Sequence, residues 1–168
     1  MGDYWFQWLE KVDASGECDM NGWVDPDLDD NKATLVTYWN SVHSGNCALR
    51  LMNDERTSMV SSETFNVTTY DSLKVTFWYK PRRMTASSEE FYLYISKNGE
   101  DFALEHTWTN AVTGSTSNVS EFTDSIYQEG IVDNIAVMDA SDVRIRFICN
   151  GDNDKDRVFI DDIAMEAM

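Results

Sequence analysis

The sequence predicts an all-β fold, a two-sheet antiparallel β-sandwich forming one domain over residues 1–168. Three observations predict it: period-two hydrophobic alternation recurs along the chain, turn residues separate the alternating segments, and no long stretch shows helical periodicity. The clearest segments are Ser72 to Tyr79, with Leu73, Val75, Phe77 and Tyr79 on one face, and Asp142 to Phe147, with Val143, Ile145 and Phe147 on one face. Phe91 to Ile95 puts Phe91, Leu93 and Ile95 together. Ala48 to Leu51 and Thr34 to Trp39 are shorter examples. Successive strand side chains point to opposite faces, so each segment presents an apolar face to a core and a polar face outward. Turns are expected at His43-Ser44-Gly45-Asn46, at Lys97-Asn98-Gly99-Glu100 and at Asn150-Gly151-Asp152, where Asn98-Gly99 is a hairpin signal. Single turns of helix are expected at most from Phe6 to Lys11 and from Asp124 to Gln128.

Composition narrows the function. The 13 Lys and Arg stand against 30 Asp and Glu, a net charge of −17. Phosphate backbones and anionic membranes require basic surface, so the charge argues against nucleic acid and anionic membranes as partners, and membrane insertion is not expected because no apolar run approaches the length of a membrane span. The same acidity suits calcium ligation or simple solubility. Two sequons, Asn66-Val67-Thr68 and Asn118-Val119-Ser120, tilt toward an extracellular, secreted or cell-surface location. Of the three cysteines, Cys149 continues the apolar series of Val143, Ile145 and Phe147 and is expected in the core. Cys18 and Cys47 then form the expected disulfide, in an oxidising compartment.

The closing segment, Arg157 to Ile163, reads as a strand interrupted by Asp161 and Asp162. β structure disfavours Asp, and an unpaired buried carboxylate costs several kcal/mol, so an inward carboxylate here needs a partner. A bound cation is the expected partner, with a solvated strand end as the alternative. Asp152, Asp154 and Asp156 precede the strand at alternate positions, but an EF-hand register would place Arg157 at the required glycine and Ile163 at the required glutamate. A solvated acidic turn is the reading there. Asp25, Asp27, Asp29 and Asp30 form a further acidic group without the EF-hand residues.

The order of several short motifs resembles a known superfamily. Glu10 and Gly22-Trp23 come first, then His43-Ser44-Gly45 before Ala48 to Leu51, then Tyr70-Asp71-Ser72-Leu73 leading into Val75 to Tyr79. Ser96 to Gly99, Val143 to Phe147 and Val158 to Ile163 complete the series. This order resembles the jelly-roll superfamily of MAM domains and galactose-binding-like carbohydrate-binding modules. The resemblance implies a jelly-roll topology and a structural Ca²⁺ ion where the first and last strands meet. By position, its ligands would come from Glu10 or Asp13, from Ser44, Gly45 and Asn46, and from Asp161 or its neighbour Asp162.

Sugar recognition needs exposed aromatic faces and polar groups beside them. Alternation puts Trp78 and Lys74 opposite the Phe77 face, Tyr92 and Tyr94 opposite the Leu93 face, and Arg144 and Arg146 opposite the Ile145 face. If these strands are neighbours, the six residues form one basic-aromatic face suited to a glycan or glycoprotein, including an anionic one. Cross-strand pairing with acidic neighbours and burial under loops is the structural alternative. Tyr38, Trp39 and Trp108 are further platforms near loops, whereas Trp5 and Trp8 read as packing residues. His43 and His106 read as surface or turn residues, and no nucleophile, phosphate loop or zinc spacing is present. The expected function is a non-catalytic, calcium-stabilised glycan-binding module. Its alternatives are a MAM-like adhesion module that self-associates and a small glycan-active hydrolase.

Overall fold

In the computed structural model, residues 3–6, 11–12, 18–19, 23–24, 26, 33–52, 58–110 and 121–168 are described. Among them the secondary structure is entirely β. The strands are β1 (Asp3–Phe6), β2 (Lys11–Val12), β3 (Cys18–Asp19), β4 (Ala33–Val36), β5 (Ala48–Met52), β6 (Ser58–Ser61) and β7 (Phe65–Asn66). They continue with β8 (Ser72–Arg82), β9 (Glu90–Lys97), β10 (Ala103–Thr109), β11 (Gln128–Ala136), β12 (Asp142–Asn150) and β13 (Arg157–Ala167). Sheet one has the order β11-β8-β13-β5-β4, with β1 also on β13; sheet two has the order β10-β9-β12-β6, with β7 also on β12. Strands β2 and β3 form a separate ribbon, and every pairing is antiparallel. From β5 onward the chain passes repeatedly from one sheet to the other, and the architecture is the jelly-roll sandwich the sequence predicts.

The alternation predicts the core-facing sides. Leu73, Val75, Phe77 and Tyr79 of β8 face inward, as do Phe91, Leu93 and Ile95 of β9 and Val143, Ile145, Phe147 and Cys149 of β12, all at most 3% exposed. Burying each large apolar side chain contributes about 1.5–3 kcal/mol. Phe77 sits at the centre, edge-on to Phe91, Trp108 and Phe147 at 5.9, 5.2 and 4.9 Å between ring centroids. Trp108, expected near a loop as a platform, is 4% exposed and stacks on Phe91 at 4.7 Å, because it lies on the inner face of β10. Cys149 is a buried thiol outside any disulfide, as expected, and Cys18 and Cys47 are joined in the expected disulfide.

The structure departs from the sequence reading where the period breaks. The strand expected to reach Trp39 ends at Val36, because Ser41 N–H donates to Tyr38 carbonyl at 2.7 Å and turns the chain. The helical turn expected from Asp124 to Gln128 is a β-turn before β11; Ser125 has φ 62°, which a right-handed helix does not accept. Strands β10 and β11 escape the sequence pattern because each carries a bulge, between Leu104 and His106 and between Val132 and Ile135. The Asn98-Gly99 turn joins β9 to β10 with both residues at positive φ, 52° and 74°.

Gly130 of β11 pairs with Phe77 of β8, and an added Cβ would lie 2.5 Å from the Phe77 ring. Gly130→Ala is expected to destabilise the protein by about 1–3 kcal/mol through displacement of the central ring, measured by urea unfolding. A loss below about 0.5 kcal/mol would contradict this account of the core.

Candidate functional site

The six residues expected on one face divide between two. Tyr92, Tyr94, Arg144 and Arg146 lie on the outer face of sheet two, since their neighbours in β9 and β12 fill the core. Lys74 and Trp78 lie on the outer face of sheet one, on the opposite side of the sandwich. The single combined face is therefore corrected. Alternation tells inward from outward but does not tell which sheet a strand joins.

On sheet two the four residues are neighbours. Arg146 pairs across the strands with Tyr94, and Arg144 with Ser96. Tyr92 and Tyr94 meet edge to face at 6.0 Å. Arg146 Nε donates to Ser61 Oγ at 2.7 Å and Arg144 Nε to Ser62 carbonyl at 3.2 Å, which fixes both side chains along the sheet. Phe102, from the β9–β10 turn, covers one flank, with its ring 3.7 Å from the Arg146 guanidinium carbon. Tyr92 Oη donates to Glu90 and accepts from Asn150 Nδ2 at 3.3 Å. Burial, then the bond to Glu90, pushes the Tyr92 phenol up to about 12, so it stays a neutral hydroxyl. Half-buried rings beside cations and an amide are the pieces that grip a sugar: ring faces for C–H groups, polar tips for hydroxyls. Phe102 and Asn150 were missed in the sequence reading, since Phe102 lies outside any strand and Asn150 at a strand end.

On sheet one the expected residues have structural work. Lys74 stands opposite Glu166 in the strand register. Trp78 is covered: the His43 ring stacks on it at 4.1 Å with 13° between planes. His43 Nδ1 lies 2.6 Å from Asp162 Oδ2, and Ser44 Oγ donates to Asp162 Oδ1. Asp162 occupies the bulge of β13 with φ 49°, which turns its carboxylate toward the loop.

Asp161 is the buried carboxylate of the pair, at 2% exposure. Its Oδ2 accepts the backbone N–H of His43 at 2.7 Å and of Ser44 at 3.3 Å, and its Oδ1 accepts that of Asp162 at 2.8 Å. Burial nonetheless pushes its carboxyl up to about 6. The expected meeting of Asp161, Asp162 and Ser44 thus occurs, with three backbone N–H groups donating to Asp161, a donor set that fits a carboxylate held by a loop. Asn46 is an exposed loop residue; Glu10 and Asp13, like the acidic group of Asp25, Asp27, Asp29 and Asp30, lie outside the described residues.

A different acidic group comes together. Among the described residues, ligand atoms of Glu89, Asp152 and Asp156 lie within 4.8 Å of one another, a cluster that could hold a metal ion. The turn expected to be solvated is so at Asp152 and Asp154, but Asp156 is 2% exposed. Its Oδ2 closes the turn by accepting N–H groups of Asp152 at 3.1 Å and Asn153 at 2.7 Å. Glu89, also 2% exposed, accepts Ala86 N–H at 2.5 Å. Burial, then a hydrogen bond with Asp156, pushes the Glu89 carboxyl up to about 7.

No protein-family model matches the chain, and no curated protein matches it. Solved structures share its fold. A cleaved adhesin domain of Lys-gingipain from Porphyromonas gingivalis aligns with TM-score 0.65 at 16% identity over 99% of both chains. The CBM22-1 xylan-binding domain from Paenibacillus barcinonensis aligns with TM-score 0.62 at 11% identity over 99% of this chain and 95% of that one. TmCBM61, solved with β-1,4-galactotriose, aligns with TM-score 0.56 at 15% identity over 87% of both chains. The fold class is therefore the β-sandwich of carbohydrate-binding modules and adhesin domains. No helix among the described residues is long and apolar enough to cross a membrane.

Two outcomes test these sites. Asp161→Ala is expected to lower stability by about 3 kcal/mol, because three backbone donors lose their acceptor beneath the loop; a loss under about 1 kcal/mol would contradict the pin. For Glu89, the folded pKa lies above the ordinary 4.5, so its contribution is present below about pH 4.5 and is lost as pH rises to about 7. The melting temperature of Glu89→Gln minus that of the wild type should therefore climb across this window. A constant difference would contradict the raised pKa, and excess calcium should flatten the climb if the cluster holds an ion in place of a proton.

Proposed function

We propose that this chain is a secreted or cell-surface, single-domain, non-catalytic glycan-binding module. The observation that carries the reading is the outer face of sheet two, where Tyr92 and Tyr94 adjoin Arg144 and Arg146 on paired strands. The rings stack on sugar faces, the guanidinium groups and Asn150 fix hydroxyl or carboxylate groups, and Phe102 closes one flank. The two arginines are held in place before binding by Ser61 and Ser62, so they need little ordering when a ligand arrives. The fold neighbours include modules solved with galactotriose or described as xylan-binding, which supports a glycan as the ligand. The disulfide and the exposed Asn66 sequon support an extracellular setting. A stabilising calcium ion, in this reading, belongs to Glu89, Asp152 and Asp156 and takes no part in the sugar contacts.

Calorimetric titration with β-1,4-galactotriose and xylohexaose tests the reading. Binding of one of them should weaken at least tenfold in Tyr94→Ala, about 1.4 kcal/mol, with the melting temperature little changed. Binding unaffected by both Tyr94→Ala and Arg146→Ala would refute the face. Self-association without glycan binding would favour the adhesion module, and turnover of either glycan would favour the hydrolase.

A further inference from the structure

Among the described residues, the loop after β4 carries the two most exposed aromatics, Trp39 at 90% exposure and Tyr38 at 63%. They line one side of a pocket of about 330 Å³ on the outer face of sheet one. This volume falls at the small end of the range of about 300–1,000 Å³ usual for ligand sites. Arg50, Arg82 and Arg157 line the other side, from three adjacent strands: Arg157 pairs with Arg82, and Phe159 of β13 pairs with Arg50.

Such a gathering of arginines needs an explanation in a chain with net charge −17 and only 13 basic residues. Burial, and then the charges of Arg82, Arg50 and Arg83, push the Arg157 pKa down against an opposing pull from Asp156. Like charges held together in a concave site focus potential onto an incoming anion. The loop backbone beside the two rings is also held in place. Lys80 Nζ donates to Asn40 carbonyl and Tyr127 Oη to Ser41 carbonyl at 2.6 Å, while Asp161 and Asp162 hold the loop at His43 and Ser44. Arg157 Nε donates to Lys155 carbonyl at 3.0 Å, which orients that guanidinium.

We propose that this pocket is a second glycan site, on the face opposite Tyr92 and Tyr94, that takes an anionic sugar residue, a hexuronate or a sulfated hexose. The planar guanidinium forks match a carboxylate or sulfate in bidentate geometry. The indole of Trp39 presents a flat apolar surface to the sugar ring beside them. Its residues are distinct from those of sheet two, so the two sites stand or fall separately.

Calorimetric titration with trigalacturonate, a sulfated galactotriose and neutral galactotriose tests the proposal. One anionic probe should bind at least tenfold tighter than the neutral one, and its affinity should fall as salt is raised. Which anionic probe binds identifies the acidic group. Trp39→Ala and Arg82→Gln should each reduce that affinity at least tenfold, whereas Tyr94→Ala should leave it unchanged. Trp39 is almost wholly exposed, so its replacement leaves the fold intact and isolates the site. Equal affinity for charged and neutral probes, no binding of either anionic probe, or binding insensitive to Trp39→Ala would each overturn the proposal. Anionic binding lost in Tyr94→Ala but kept in Trp39→Ala would assign it to sheet two.

Discussion

The organisation of the outer face of sheet one depends on one buried carboxylate. Asp161 lies beneath the loop between β4 and β5 and accepts backbone N–H groups from His43, Ser44 and Asp162. A charge out of water is costly unless donors replace the lost hydration, and amide groups fixed in a loop do that without further reorganisation. Its neighbour Asp162 holds the same loop through His43 and Ser44 side chains. Tyr127, Lys80 and the disulfide at Cys47 complete the attachment. The loop is consequently laid flat on sheet one, where Val42 joins a small cluster with Val36, Ala48 and Phe159. One end of it caps Trp78 with His43, and the other end presents Trp39 beside the arginines. The same attachment thus closes one aromatic surface and builds another.

Much of the fold was legible in the chain, and the reason is period two. Strands β8, β9 and β12 each appear as alternating runs whose inward side follows residue by residue, and β13 appears as an apolar run interrupted by two carboxylates. β10 and β11 were not legible, because a bulge resets the alternation midway. Sheet membership was not legible either. It depends on pairings between distant segments, and this is why Lys74 and Trp78 were grouped with residues on the far side of the sandwich. Tyr92, Tyr94, Arg144 and Arg146 were grouped correctly because β9 and β12 happen to be neighbours.

The carboxylates show the same limit from the chemical side. The sequence states that Asp161 requires a partner; it does not state that backbone amides 118 and 117 positions away supply it. Likewise, the alternate spacing of Asp152, Asp154 and Asp156 shows an acidic turn, but Glu89 joins it only through the approach of the β8–β9 connection. Fold likeness carries no more than architecture at these identities, since unrelated functions share folds. What bears on function is where aromatic rings and guanidinium groups coincide. They coincide on both outer faces, an arrangement that would let one module grip two stretches of a polysaccharide and gain avidity from both.

The central claim is that the outer face of sheet two binds sugar. Backbone amide shifts recorded by NMR during titration with galactotriose or xylohexaose test it most directly, because they report location without altering the protein. The account predicts that the largest shifts cluster in β9 and β12, at Tyr92, Tyr94, Arg144 and Arg146, and at Phe102. Shifts centred elsewhere, or none with any glycan of the set, would contradict it.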